Sequence, residues 1–132
     1  GAGFPTAMGA ALARPDVPVL AVQGDMGFMC NIGELETAVR EKIKLVAVVI
    51  NDQGLGNERA FQDAYYDGKH FAVDYQNPDF GVLARAFGAH GEKVTRPGDL
   101  EAAMQRAFAA DGPAVVDVMI DKLNLAPVLF KA

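Results

Sequence analysis

The sequence contains no tryptophan, one cysteine and two histidines in 132 residues. A single thiol, Cys30, excludes an internal disulfide and a cysteine-rich zinc site. Although it lies near an expected helix start, a place that favours reactivity, it reads as an inert, buried thiol. His70 and His90 lack partners at metal-ligand spacing and read as structural or surface residues. There is no run of Lys and Arg, and twelve basic residues against seventeen acidic ones give a formal net charge of −5. Nucleic acid is therefore not an expected partner. A polyanionic ligand would have to be held by backbone N–H groups and a cation. No apolar stretch reaches the about 18–20 residues of a membrane span, so no membrane partner is expected. The start, Gly1-Ala2-Gly3-Phe4, has no basic leader and reads as mid-domain sequence, which makes a cytoplasmic setting the default. Neither an internal repeat nor a low-complexity segment occurs.

What the chain does have is an alternation of apolar runs and amphipathic stretches. Residues 18–23, 44–51 and 114–120 are short and almost unbroken apolar runs, rich in valine and isoleucine, and 91–95 is a shorter, more polar strand candidate. They predict strands buried on both faces. Between them lie helix-like stretches at 5–14, 32–42, 78–88 and 97–110. Asn31 with Glu34 three residues later predicts a capping box at the second of these, which makes Glu34 a helix-start residue. Ile32, Leu35, Val39 and Ile43 supply its apolar face. Phe80, Leu83, Ala84 and Phe87 do so for the third, with Gly88 as its C-terminal cap. Leu100, Met104, Ala107 and Phe108 do so for the last. Residues 52–77 are polar, aromatic and weakly periodic, and predict a long functional loop with a helical turn near 57–63. Within it Tyr65 and Tyr66 read as loop packing. Strands alternating with helices imply one doubly wound α/β domain over 1–132, with a parallel sheet and helices on both faces.

Two turns carry the chemistry. Gly24-Asp25-Met26-Gly27-Phe28 follows the first strand, and Asn51-Asp52-Gln53-Gly54-Leu55 follows the second. In a parallel sheet both lie at the carboxyl edge, where open α/β sheets bind ligands. Two carboxylates with glycines that allow close backbone approach suit a metal-bound phosphate. Taken alone, Asp25 could equally be a turn-capping carboxylate and Asp52 a solvated turn residue. Asn51 is an alternative oxygen donor one position away.

The chain resembles the pyrophosphate-binding domain of thiamine-diphosphate enzymes, in the acetolactate-synthase-like and 2-oxo-acid-decarboxylase-like group. That family's signature is Gly-Asp-Gly followed at a set interval by Asn-Asn. Here it reads Gly24-Asp25-Met26 and Asn51-Asp52, and the interval from Asp25 to Asp52 matches the one between the family's two side-chain metal ligands. The flanks agree as well: Gly3-Phe4-Pro5-Thr6-Ala7-Met8-Gly9-Ala10, Gly33-Glu34-Leu35-Glu36-Thr37-Ala38, Asn77-Pro78-Asp79-Phe80 and Leu83-Ala84-Arg85-Ala86-Phe87-Gly88-Ala89. The resemblance implies thiamine diphosphate bound through Mg²⁺. Asp25, Asp52 and the Gly54 carbonyl would be the metal ligands. Gly24, Asp25, Met26, Gly27, Phe28, Asp52, Gly54 and Leu55 would form the cofactor site, and no catalytic residue is assigned within this chain.

Two positions depart from the pattern. Met26 stands where the family has glycine or another small residue, which predicts strain if that position needs φ > 0 and crowding if the phosphate must approach closely. Asp52 stands where the family has asparagine, which adds a negative charge beside the metal. The family implies an enzyme that decarboxylates a 2-oxo acid and transfers the acyl unit. Oxalyl-CoA decarboxylase and glyoxylate carboligase activities are alternatives, and a non-catalytic regulatory or assembly domain with a degraded cofactor site is the rival from another class. A Rossmann domain would need Gly-x-Gly-x-x-Gly at the first turn, which is absent. The resemblance further implies a pyrimidine-binding domain on the same or another chain, a homo-oligomer, and a leading strand before residue 1. Without these the 132 residues alone are expected to be inactive and to expose an apolar sheet edge.

Overall fold

The computed structural model describes residues 1–123; positions 124–132, the end of the span assigned to the domain, lie outside the described residues. The four expected strand segments form strands β1 (Leu20–Gly24), β2 (Val46–Asn51), β3 (His90–Val94) and β4 (Ala114–Met119). They make one sheet in the order β1-β2-β4-β3, with every neighbouring pair parallel. Gly24 is level with Ile50, and Ile50 with Val118. The carboxyl ends of three strands therefore finish together on one edge, which fixes where the two turns emerge.

Helices α1 (Gly3–Ala13), α2 (Asp25–Met29), α3 (Glu34–Arg40), α4 (Gly56–Tyr65), α5 (Phe80–Ala86) and α6 (Leu100–Ala109) connect and cover the strands. On one face Ala47, Val49 and Val115 pack against Phe4, Leu35, Phe80 and Ala84. On the other, Val48, Val94 and Val116 pack against Ala103 and Ala107 of α6. The expected parallel sheet with helices on both faces is therefore present. Phe4, Phe28 and Phe80 meet edge to face, with ring centroids 5.4 and 5.5 Å apart. Each such contact adds about 0.5–1.5 kcal/mol beyond the apolar area it buries. α5 lies so close to β3 that a Cβ on Gly91 would fall 2.1 Å from the Gly81 carbonyl oxygen. Only glycine fits there. On edge strand β1, Leu20 and Val22 are exposed. No helix among the described residues is long and apolar enough to cross a membrane.

Several expectations change. The helix expected over 32–42 is shorter, and a separate five-residue helix, α2, precedes it. No capping box forms: Gly33 is the N-cap of α3, and the Asn31 amide donates to the Gly1 carbonyl instead. Cys30 is exposed at the C-terminus of α2 rather than buried at a helix start. The helical turn expected near 57–63 is the ten-residue helix α4. Phe108 is 38% exposed, because α6 faces the sheet with its alanines. Gly88 does end α5, at φ 89°.

Candidate functional site

The first turn is built by the start of α2. Gly24 caps it with extended backbone, and Asp25 is its first residue. Asp25 is 3% exposed, and its Oδ1 accepts from the Met26 N–H at 2.7 Å. The Gly27 N–H, also in the first turn, has no intrahelical acceptor by helix geometry. Met26 occupies this helix with ordinary negative φ, since among the described residues the non-glycine positions at positive φ are Lys42, Gln53, Asp67 and Ala72. Backbone strain at this position is therefore absent, and the methionine side chain lines the cleft.

The second turn is held by two side-chain caps. Asn51 Oδ1 accepts from the Gln53 N–H at 3.2 Å, and Asp52 Oδ1 accepts from the Gly54 N–H at 3.1 Å. Such caps are how Asn and Asp stabilise turns. They carry Gln53 through the left-handed region at φ 55°, a conformation whose cost of order 1–3 kcal/mol is tolerated where the surroundings fix it.

A strap then crosses this turn. Residues 73–75 return antiparallel to residues 53–55, with a bridge between Gly54 and Asp74. The Leu55 N–H donates to the Val73 carbonyl at 2.9 Å and the Tyr75 N–H to the Gln53 carbonyl at 3.2 Å. A Cβ on Gly54 would lie 2.7 Å from the Val73 carbonyl oxygen, so the strap demands glycine there. Among the described residues no backbone N–H donates to the Gly54 carbonyl.

Both turns open onto one cleft of about 300 Å³, lined by Gly24, Asp25, Met26, Gly27, Ile50, Asp52, Gly54, Leu55, Gly56, Asn57, Glu58 and Ile120. Seven of the eight expected cofactor-site residues are brought to this cleft. The exception is Phe28, whose ring is 1% exposed in the core between Phe4 and Phe80. Asn51 is 1% exposed and fully engaged: Nδ2 donates to Asp117 Oδ1 at 2.9 Å, while Oδ1 accepts from Gln53 and Asn77. It braces the turn and leaves the cleft to Asp52.

The electrostatics favour a cation. Burial raises Asp52 above the usual carboxylate range, the charge of Asp25 raises it further, and the Gly54 N–H opposes both. Two carboxylates that repel each other beside an unengaged carbonyl form a hard oxygen donor set, which is the type Mg²⁺ takes. Among the described residues no group of three or more His, Cys, Asp or Glu gathers. A cation held here would complete its shell with ligand or water oxygens. Above the Gly24 turn a Cβ would meet nothing within 4 Å among the described residues, nor would one at Gly27, which leaves open space for a phosphate group against the backbone.

Four residues near the cleft escape the signature. Asn57 and Glu58 line its mouth from the first turn of α4. Asn77 Nδ2 donates to Asp25 Oδ2 at 2.5 Å and to Asn51 Oδ1 at 3.0 Å. The Tyr75 hydroxyl is buried without a hydrogen-bond partner among the described residues. It is pushed up to about 12 by burial first and then by Asp25, Asp52 and Glu58. A signal for the last two was present. Val73-Asp74-Tyr75-Gln76-Asn77 alternates with period two, and the odd positions are the less exposed ones.

Comparison with known proteins agrees with this geometry. The family described as "Thiamine pyrophosphate enzyme, C-terminal TPP binding domain" matches residues 1–118. The chain is 39% identical over 125 residues to the acetolactate synthase isozyme 2 large subunit of Escherichia coli K12, covering 94% of this chain and 23% of that protein. It is 39% identical over 129 residues to the acetolactate synthase of Bacillus subtilis 168, covering 96% of this chain and 22% of that protein. The chain thus spans under a quarter of the length of these relatives. Among solved structures, benzoylformate decarboxylase from Polynucleobacter necessarius superposes with a TM-score of 0.87 at 27% identity, over 97% of this chain and 25% of that one. A thiamine diphosphate-dependent 4-hydroxybenzoylformate decarboxylase from Rhodococcus jostii RHA1 gives 0.84 at 33% identity, over 90% of this chain and 23% of that one. With the parallel sheet, the paired turns and the family match over residues 1–118 together, the chain belongs to the thiamine pyrophosphate enzyme family and is its C-terminal, cofactor-binding domain.

Proposed function

We propose that this domain holds the diphosphate of thiamine diphosphate through Mg²⁺ in a larger enzyme that decarboxylates a 2-oxo acid and transfers the acyl unit, as acetolactate synthases do. The observation that carries the reading is the convergence of Asp25 and the Asp52–Gly54 turn on one cleft at the sheet's carboxyl edge. Asp25 and Asp52 would offer carboxylate oxygens to the cation and Gly54 its carbonyl. The Gly27 N–H and the open backbone at Gly24 would receive phosphate oxygens. When bound, thiamine diphosphate supplies the electron sink for decarboxylation, and the protein supplies binding and orientation. This chain's residues would fix the anionic end, while Leu55 and Ile120 give the cleft apolar lining.

The reading includes a pyrimidine-binding domain on the same or another chain, a homo-oligomeric assembly, a cytoplasmic setting and no activity for these 132 residues alone. The ordinary helical backbone at Met26 answers the strain half of one ground for a non-catalytic domain, while its side chain still lines the cleft. The test is a calorimetric titration of thiamine diphosphate into the full-length polypeptide, with and without Mg²⁺. Binding that needs Mg²⁺ and is abolished by Asp25→Ala is expected. Equal binding without any divalent cation would remove the proposed metal bridge.

A further inference from the structure

The buried polar groups around the cleft form a continuous chain. Asp117 lies in the centre of β4 with no exposed surface. It accepts from Asn51 Nδ2 at 2.9 Å and from the Phe80 N–H at 3.2 Å. Asn51 Oδ1 accepts from Asn77 Nδ2 at 3.0 Å, and the other N–H of the same Asn77 amide reaches Asp25 Oδ2 at 2.5 Å. Each link is unambiguous in direction. The Gln53 N–H fixes Asn51 Oδ1 as the acceptor, which leaves Nδ2 to donate to Asp117. The chain ends on the carboxylate proposed to bind the cation.

Asn77 reaches Asp25 because of the strap. Once residues 73–75 pair with the Gly54 turn, positions 73, 75 and 77 share the inward side of an extended segment. Val73 is buried there, and Asp74 faces outward to Arg59 and Lys122. The strap is thus anchored on its outer side by ion pairs and delivers a carboxamide on its inner side.

Resting on the reading above, we propose that Asn77 is the positioning residue of the cation site. It fixes the Asp25 carboxylate so that one geometry is presented to a small divalent cation. With Met26 N–H on Oδ1 and Asn77 on Oδ2, neither oxygen can rotate away. A carboxylate has about four lone-pair sites, so both bonds leave room for a metal. A fixed carboxylate matters most for Mg²⁺, which demands near-ideal octahedral geometry, and less for Ca²⁺, which accepts variable geometry. Asn77 therefore acts on metal discrimination, beyond holding the strap in place.

The experiment measures Mg²⁺ and Ca²⁺ affinity by calorimetry on the full-length polypeptide with saturating thiamine diphosphate. Asn77→Ala should weaken Mg²⁺ on the order of 10–100-fold, as loss of an outer-shell partner does, and Ca²⁺ by clearly less. Asn77→Asp keeps the shape but repels Asp25 instead of holding it, so its preference for Mg²⁺ over Ca²⁺ should fall as well. Asp74→Asn loosens the strap from its outer side and should leave that preference unchanged. Wild-type Mg²⁺ affinity in Asn77→Ala would overturn the inference. So would equal weakening of both cations in Asn77→Ala and Asp74→Asn, because the strap would then be scaffold only. In both cases Mg²⁺-dependent cofactor binding by the wild type would leave the proposed function standing. A wild type without such binding would end both.

Discussion

Replacing Gly54 by alanine tests the strap and the turn together. A methyl group at that position would sit 2.7 Å from the Val73 carbonyl oxygen, which is a backbone atom that no side-chain rotation can move. An ordinary carbon–oxygen contact needs more than about 3.3 Å, so the strap must retreat by several tenths of an ångström. That movement strains both pairing bonds, Leu55 N–H to Val73 O at 2.9 Å and Tyr75 N–H to Gln53 O at 3.2 Å. Each is worth about 0.5–1.5 kcal/mol net, so loss of both costs about 1–3 kcal/mol, within the range of overpacked sites. At 1.4 kcal/mol per tenfold, the amides of Leu55 and Tyr75 should exchange roughly 5- to 150-fold faster. Hydrogen exchange read by mass spectrometry on the full-length protein resolves this, with peptides over β4 as the internal reference. The backbone at Gly54 has no positive φ, so the effect would be one of space and not of conformation. Unchanged exchange at both amides would refute the close approach.

Other outcomes follow from the core, the buried carboxylates and the strap's anchor. Phe28→Ala removes the ring shared by two edge-to-face contacts and should cost about 3–5 kcal/mol, seen as a lowered thermal midpoint and reduced soluble yield. A proton competes with the cation for Asp52, whose carboxyl is raised, so Mg²⁺ affinity should rise as pH passes upward through that raised value. Asp52→Asn should flatten this part of the profile. Asp117 is also raised, chiefly by burial. A folded-state value above the unfolded one contributes stability below the ordinary Asp range, and this is lost as pH rises through the folded value. Chemical denaturation across that window should show the fall. Arg59→Met should free the strap, because Arg59 is 7% exposed and holds both His70 at 3.0 Å and Asp74. Protease nicking within 66–79 should increase, and an unchanged cleavage pattern would count against the anchor.

The parts of this fold that were legible in the sequence are those governed by local pattern. Val46, Ala47, Val48 and Val49 read as a strand buried on both faces, and the spacing of Phe80, Leu83, Ala84 and Phe87 marks α5, although its start at Asp79, which accepts from the Val82 N–H at 2.8 Å, emerged only in the structure. Asp25 and Asp52 were legible because the glycine and asparagine turns around them repeat a family pattern. Long-range partners were hidden. Nothing near Asn51 in sequence shows that its amide is spent on Asp117, 66 positions away. Nothing near Phe28 shows that its ring turns inward between Phe4 and Phe80. The strap was misjudged for a different reason. Its alternation is only five residues long, and such a run pairs only because α4 turns the chain back over Gly54.

These long-range partners bear directly on the charge that Asp52 adds. On the proposed reading, a site with two carboxylates must be kept from relaxing before a cation arrives, since the two repel each other and Asp52 is already raised. Rotation of Asp25 away from Asp52 would relieve that repulsion and would also spoil the site. The Met26 N–H and the Asn77 amide block it by taking one oxygen each. Asn77 in turn cannot follow Asp25 outward, because its amide is shared with Asn51, and Asn51 is tied to a carboxylate in the middle of β4. The repulsion is therefore held inside a rigid frame and is available to be relieved by a cation. A carboxamide at position 52 would lower the repulsion and the attraction together. On the proposed reading, the frame through Asn77 is what holds the more highly charged pair in place.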